Sequence, residues 1–340
     1  MLFIVGNRGG SNIGESFARS AAELGLEICF FEAKDAQSPL RIVNALRWRF
    51  CDRRPARLRS FAKNVLNCAE QLKPAFLMTT GFNPLPGGVI RTLRGNQIIC
   101  LHFSTDDPWN PTQRANWFLR SLPEYDIVFT TRRRNINDFL ALGCLNVQYT
   151  AFGYDKMIFG GKAVRPPSAD GQVLFVGGAD RERVDFMETL LSLQIPISLV
   201  GDYWERVPSM RRYSMGHKPP EEVIRLTQAA KVNLCLVRRA NRDGHVMRSF
   251  EIAALGGCMV VEETVEHRQL FGADGECVLY FSSPNDAAEK IRRLLGDMDE
   301  CCRLGRAVQA RVVGGANTYT DRLASMLAAA SEVRRAVSRI

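Results

Sequence analysis

No apolar run in this sequence approaches the ~20 residues a helix needs to cross a bilayer, which excludes a helical membrane span. The ten cysteines form no CxxC pair, and with the four histidines they show no zinc-type spacing. GxGxxG is absent, which argues against a dinucleotide dehydrogenase. The stretch GNRGGSNIGES, residues 6–16, has the glycine spacing of a phosphate loop. Its lysine position, however, holds Glu15, and a carboxylate there repels phosphate, so an NTPase is rejected. There is no internal repeat and no low-complexity segment. The opening MLFIVGNRGG is too short for the core of a signal peptide and reads as a first strand.

What is present is a soluble-type composition on 340 residues, enough for a large core and, by length, two domains. Cys29, Cys100, Cys235, Cys258 and Cys277 sit inside apolar segments and read as small buried thiols, which suggests a reducing cytoplasm. The adjacent Cys301 and Cys302 have no evident role. The net charge of +9 suits a polyanion, an anionic membrane surface or an anionic substrate, without choosing between them. Between Arg41 and Lys63 stand eight Lys or Arg and one acid, Asp52, with Trp48, Phe50, Leu58 and Phe61 interleaved. This basic helical region fits peripheral contact with an anionic membrane, an acidic partner or, less well, nucleic acid. The plain alternative is a solvated helix face.

Strand-like and helix-like segments alternate along the whole chain. Strands are expected at 2–5, 28–32, 76–79, 98–103, 125–130, 173–176, 197–200, 232–237 and from Met259. A basic helix is expected over 40–66, and another over 131–143, with Arg132 to Arg134 as its solvated start. Residues 160–172, GGKAVRPPSADGQ, are rich in Gly, Pro and Ser and read as a linker. The expected division is therefore 1–160, a linker 161–172, 173–318, and a C-terminal helix 319–340 that packs back on the first domain. The fold class is α/β, with two doubly wound parallel sheets.

The densest chemistry lies in 231–263, KVNLCLVRRANRDGHVMRSFEIAALGGCMVVEE. It reads as strand, polar loop, helix over 248–255, a glycine stop at Gly256 and Gly257, and strand. In parallel sheets, ligands sit where strand C-ends meet helix N-ends. That place holds Arg238, Arg239, Asp243, His245, Arg248 and Glu251. A helix N-terminus and an arginine suit a diphosphate. A helical carboxylate suits a ribose diol, and a loop carboxylate suits a sugar. Alternatively, Arg248 and Glu251 form an ordinary i,i+3 surface pair.

The motif Arg248, Phe250, Glu251, Ala254, Gly256, followed by Leu270, Phe271, Gly275 and Glu276 and an amphipathic helix, resembles GT-B glycosyltransferases. It is most similar to the CgeB-like, spore-maturation type group of the group 1 glycosyl transferases. The resemblance spans roughly 172–325. It implies a GT-B fold, two Rossmann-like domains facing an inter-domain cleft, with acceptor on the first and nucleotide-sugar donor on the second. It implies that Glu251 holds the donor ribose. Asp243 stands where related retaining enzymes carry the first glutamate of a Glu-x7-Glu pair, at the sugar. Gly177, Arg183, His245 and Arg248 complete the implied donor site. The loop with Gly10 and Asn12, together with Asp107, is assigned to the acceptor side.

His102, Asp106 and Asp107 fall at a strand C-end, where catalytic groups collect. His102 and Asp106, with Arg248 steadying the leaving diphosphate, are the catalytic candidates. For His102 the alternative is a core histidine, and for Asp107 a turn former before Pro108. Asp297-Met298-Asp299 matches a metal-binding DxD, but no strand precedes it, so it reads as an exposed turn between helices. No metal and no cofactor are expected, only a nucleoside-diphosphate-sugar co-substrate and an unidentified glycan, lipid or protein acceptor. A nucleotide-sugar epimerase, or a non-catalytic binding or coat protein, are the alternatives.

Overall fold

In the computed structural model of the chain, residues 1–168 and 171–337 are described. The end of the expected C-terminal helix, 338–340, and positions 169–170 of the expected linker lie outside them. The chain divides into two units. The first comprises residues up to Ala151, the short segment Arg239–Asp243, and the chain from Tyr319 on. The second comprises Phe152–Arg238 and Gly244–Thr318.

The first unit is built on β1 (Leu2–Gly6), β2 (Ile28–Glu32), β3 (Phe76–Thr80), β4 (Ile99–Ser104), β5 (Ile127–Thr130) and β6 (Val147–Tyr149). Their order is β2-β1-β3-β4-β5-β6, and every pairing is parallel. β1 and β4 are buried along their full length, which is why they read as unbroken apolar runs rather than alternating ones. Phe3, Val5, Phe61, Leu77, Cys100 and Phe139 form part of its core. The terminal helix, Tyr319–Val337, belongs here: Tyr319, Leu323, Met326 and Ala330 recur at helical spacing and are buried. Tyr319 packs edge-on against Phe17, with ring centroids 5.5 Å apart.

The second unit carries β7 (Val173–Val176), β8 (Ile197–Val200), β9 (Val232–Cys235), β10 (Met259–Glu262) and β11 (Leu279–Phe281). Its order is β11-β10-β9-β7-β8, again all parallel. Counted from its own first strand, this is the topology of the first unit with one strand fewer. In both sheets the winding reverses between the first and third strands, so each has one switch point, the usual ligand position in such folds.

Three local readings differ from the structure. The basic stretch is two helices, Arg41–Phe50 and Leu58–Leu72. Asp52 and Arg53 between them take left-handed backbone conformations, with φ of 50° and 57°, which ends the first helix. Helix Asn135–Leu142 starts later than expected, leaving Arg132 outside it and buried rather than solvated. The Gly/Pro/Ser-rich stretch is strapped to the second unit: Gln228 Nε2 donates to the Ala163 carbonyl at 3.0 Å, and Gln309 Nε2 to that of Lys162 at 2.8 Å. Gly256, at φ +71°, lies so close to it that a Cβ would come within 2.6 Å of Val164.

Candidate functional site

The switch point of the second sheet lies between β7 and β9. After β7 the chain runs Gly177, Gly178, Ala179, Asp180 and into helix Arg181–Ser192. Asp180 caps that helix by accepting from the Arg183 amide at 3.0 Å. The Arg183 guanidinium lies over the Phe175 ring, 5.4 Å from its centre, and donates to the Gly178 carbonyl at 3.1 Å. Arg238, just past β9, sits 3.7 Å from the same Asp180 carboxylate, and Arg183 sits 3.6 Å from it. One carboxylate thus gathers two arginines at the C-ends of the two switch-point strands. Gly177 packs against the Phe175 ring and offers its carbonyl to Trp204 Nε1 at 2.7 Å, fixing the turn.

Helix Met247–Ala254 follows β9. Its first turn is held by a polar chain that begins at the Val246 amide, which donates to Ser249 Oγ at 3.1 Å. Ser249 Oγ lies 2.8 Å from His267 Nε2, and His267 Nδ1 lies 2.7 Å from the Glu262 carbonyl. A carbonyl only accepts, so Nδ1 carries the proton, Nε2 accepts, and the serine hydroxyl donates. Burial lowers the His267 pKa to about 4, so the ring stays neutral and this tautomer persists.

Glu251 lies on this helix and is 2 % exposed. Arg248 donates to its carboxylate, so the expected i,i+3 pair forms. It is not a surface pair, since one partner is buried. Burial raises the Glu251 pKa; Arg248 opposes the rise and the neighbouring Asp155 adds to it. Asp155 is itself buried and caps helix Lys156–Phe159 through the Met157 amide at 3.0 Å. The Arg248 side chain remains 29 % exposed. His245 is buried: Nε2 accepts from the Phe152 amide at 3.0 Å and its ring packs on Phe152 and Phe250. It braces the entry to the helix.

Asp243 is not in the second unit. The segment Arg239–Asp243 belongs to the first, at the C-end of β4. There Asp243 pairs with Arg132 at 2.5 Å, both nearly inaccessible to water. Arg132 also donates to the Thr105 carbonyl at 2.8 Å and to Thr131 Oγ1 at 3.0 Å. Arg242 grips Asp107 through two contacts, Nε to Oδ2 at 2.5 Å and Nη2 to Oδ1 at 3.0 Å, and reaches Asp138 at 2.8 Å. Asn241 donates to Asp106 at 3.0 Å and accepts from Asn110 at 2.6 Å. Asp107 is 1 % exposed and also takes Asn135 and the Trp109 amide, so both the turn-former reading and a wider bracing role apply to it.

His102 is fully buried on β4, with Nδ1 2.9 Å from Thr79 Oγ1 and its ring packed on Tyr125 and Phe118. Burial lowers its pKa to about 3. This is the core-histidine arrangement. The glycine-rich loop is closed on itself: Asn12 Nδ2 donates to the carbonyls of Arg8 and Gly9 at 3.0 and 2.8 Å, and Arg19 donates to that of Gly10 at 2.8 Å. Glu32 and Glu15 accept from the amides of Arg8 and Gly9 at 2.8 and 3.4 Å, so acids occupy donors that a phosphate would use.

Asp297 caps helix Met298–Val313 by accepting from the Glu300 amide at 2.9 Å. Among the described residues, no group of three or more His, Cys, Asp or Glu could hold a metal ion. Sequence reasoning overlooked Asp180, Asp155 and the Ser249–His267 pair. Asp180 offered one signal, an Asp three residues before an Arg at a helix start. The pairing of Ser249 with His267 had none, since it is made by two helices, Met247–Ala254 and Val265–Phe271, that follow neighbouring strands.

Residues 181–328 match the model of a glycosyl transferase-like family. No curated protein matches the sequence. Among solved structures, a sucrose-phosphate synthase from Thermosynechococcus elongatus aligns at TM-score 0.72 and 12 % identity, over 100 % of this chain and 99 % of its own. Anabaena HepE, in complex with UDP and glucose, aligns at 0.65 and 12 %, over 96 % and 99 %. An α,α-trehalose 6-phosphate synthase from Burkholderia multivorans aligns at 0.62 and 13 %, over 99 % and 97 %. The chain has the GT-B fold. Over residues 181–328, the chain also resembles a glycosyl transferase-like family.

Proposed function

We propose that the second unit binds a nucleoside-diphosphate-sugar, with UDP as the nucleotide, and that the enzyme passes the sugar to an acceptor recognised by the first unit. Anabaena HepE, solved with UDP and glucose, supports the choice of UDP. The observation that carries the reading is the gathering of Arg183 and Arg238 around Asp180 at the switch point, with Arg248 and a buried Glu251 on the helix that follows β9. The arginines and helix dipole match a diphosphate and oppose the negative charge that grows on it as the sugar departs. Glu251, already an acceptor for Arg248, is the carboxylate assigned in this reading to the ribose hydroxyls. Neutralisation by arginine replaces a divalent cation in this scheme. The finer, CgeB-like grouping rests on the motif from Arg248 to Glu276.

A retaining reaction needs no protein base. For an inverting one, Asp106 is the better candidate, because a histidine with a pKa near 3, such as His102, takes up protons poorly at neutral pH. The withdrawal of Asp243 into an ion pair removes the expected sugar contact and favours, as second reading, a protein that binds the donor without turning it over. The ten free thiols fit the reducing compartment expected from the sequence.

The test is a thermal-shift series with UDP, UDP-sugars and other nucleoside diphosphates, followed by donor hydrolysis with and without chelator. A ligand at a hundred times its Kd stabilises by about 2.7 kcal/mol. Stabilisation by UDP, with hydrolysis that survives chelator, is expected. No response to any nucleoside diphosphate would remove the donor site. Binding with neither hydrolysis nor transfer in an acceptor screen would establish the second reading.

A further inference from the structure

The helix Arg41–Phe50 in the first unit is amphipathic with its faces reversed. None of its residues is buried. It is fastened through polar groups: Asn44 accepts from the Ser38 amide at 2.8 Å and donates to the Ser38 carbonyl at 2.7 Å, and Arg47 donates to the Arg54 carbonyl at 3.0 Å. Trp48 leans on Phe82, with ring centroids 6.3 Å apart, and carries Arg53 over its face at 5.3 Å. Ile42, Leu46 and Phe50, spaced i, i+4 and i+8, lie in one outward stripe with exposures of 69 %, 53 % and 73 %. A helix normally buries such a stripe and exposes its polar residues. A concentrated apolar face left in water marks an interaction site.

Charge selects the occupant. On a helical wheel, Arg49 flanks the stripe on one side, with Arg41 beyond it, and Arg47 flanks the other. Arg53, Arg54, Arg57 and Arg59 follow in sequence. The single acid, Asp52, is engaged by the amides of Asn116 and Trp117 at 3.0 and 3.1 Å, so it does not face the arginines as a counter-charge. A second copy would bring the same arginines against these and be repelled. Nucleic acid would want stacking rings where Ile42 and Leu46 stand. Acyl chains beneath a layer of anionic headgroups answer both the stripe and its rim. Among the described residues no helix is long and apolar enough to cross a membrane, so the contact lies on the surface. We infer that the helix Arg41–Phe50 seats the first unit on an anionic membrane, with Ile42, Leu46 and Phe50 entering the acyl region and Arg41 and Arg49 meeting headgroups.

The experiment is flotation of the full chain with phosphatidylglycerol-containing and pure phosphatidylcholine vesicles at low and high salt. Two variants are compared, Ile42→Ser/Leu46→Ser/Phe50→Ser and Arg41→Gln/Arg49→Gln. Binding to the anionic vesicles is expected, with weakening at high salt as screening shortens from ~10 Å at 0.1 M to ~3 Å at 1 M. Each arginine removed should weaken binding about fivefold, and the apolar triple variant should abolish flotation. The replaced side chains are exposed, so circular dichroism melts should match the parent chain. Failure to float, equal binding to neutral vesicles, or undiminished binding by the triple variant would overturn the inference. So would a dimer in sedimentation that the triple variant makes monomeric, since the stripe would then be a self-interface.

Discussion

The two sheets share a winding order, yet their switch-point ends differ in charge bookkeeping and in what remains for a ligand. In the first unit each of these acids is held by a cation or a neutral donor: Asp107 by Arg242, Asp243 by Arg132, Asp106 by Asn241, and Glu15 and Glu32 by loop amides. In the second, one exposed-edge carboxylate, Asp180, faces two arginines, and Arg248 adds a third cation against buried Glu251. Arg238 and Arg248 keep side-chain exposures of 35 % and 29 % beside these acids. A shared topology therefore locates both crevices, while side-chain pairing makes their charge different.

The comparison breaks most sharply at the Arg132–Asp243 pair. Asp243→Ala leaves a buried guanidinium without its counter-charge, and loss of one partner of such a pair costs about 3–5 kcal/mol. Equilibrium urea denaturation should show that loss, with UDP binding kept below the new transition. If stability is unchanged and only sugar-bearing donors bind more weakly, Asp243 belongs to the donor site after all. At the second crevice, Glu251→Gln keeps shape but loses charge. A hydrogen bond to a charged group contributes roughly 1.5–3 kcal/mol, so calorimetry should find UDP binding weakened by about 10- to 100-fold. Unfolding without an affinity change would make Glu251 a structural carboxylate. Arg238→Ala and Arg183→Ala should each weaken UDP more than uridine, because their partner is the diphosphate. Arg183→Ala should also lower the melting temperature, since that guanidinium packs on Phe175.

Acid titration sharpens the contrast more gently. His102 in the first unit and His267 in the second have pKa values lowered to about 3 and about 4 by burial. Both take up a proton on unfolding near the ordinary value of ~6.5. Their contribution to stability is therefore complete above about pH 6.5 and is lost as pH falls through that window. Each adds a slope of about 1.4 kcal/mol per pH unit. Below about pH 4 only His102 still contributes. Melts of His102→Gln and His267→Gln between pH 7 and 4 should show flatter pH dependence than the parent chain, unless the ring is protonated in the folded state.

Much of this was legible along the chain. Strands buried on both faces write themselves as apolar runs, so β1, β7 and β9 could be read directly, and the alternation with helices implied two parallel sheets. The motif from Arg248 to Glu276 picked out the helix Met247–Ala254. The seven-residue spacing of Asp243 and Glu251 suggested a shared site, yet the structure assigns them to different units, because Arg239–Asp243 leaves one and joins the other. No local pattern announces that excursion. It is decided by partners about 110 to 135 residues away in sequence, Arg132 and Asp107.

The sequence by itself determined the class of fold, the glycines that end helices and the helix carrying Arg248 and Glu251, since these depend on local backbone preference and hydrophobic period. Tertiary structure alone decided which charges are available. Arg132 reads as a solvated cation and is buried against Asp243; His102 reads as a base at a strand end and is walled in by Thr79, Tyr125 and Phe118. Burial and pairing are set by what arrives from elsewhere in the chain. The same residue type therefore becomes a buried brace in one unit and a part-exposed cation in the other.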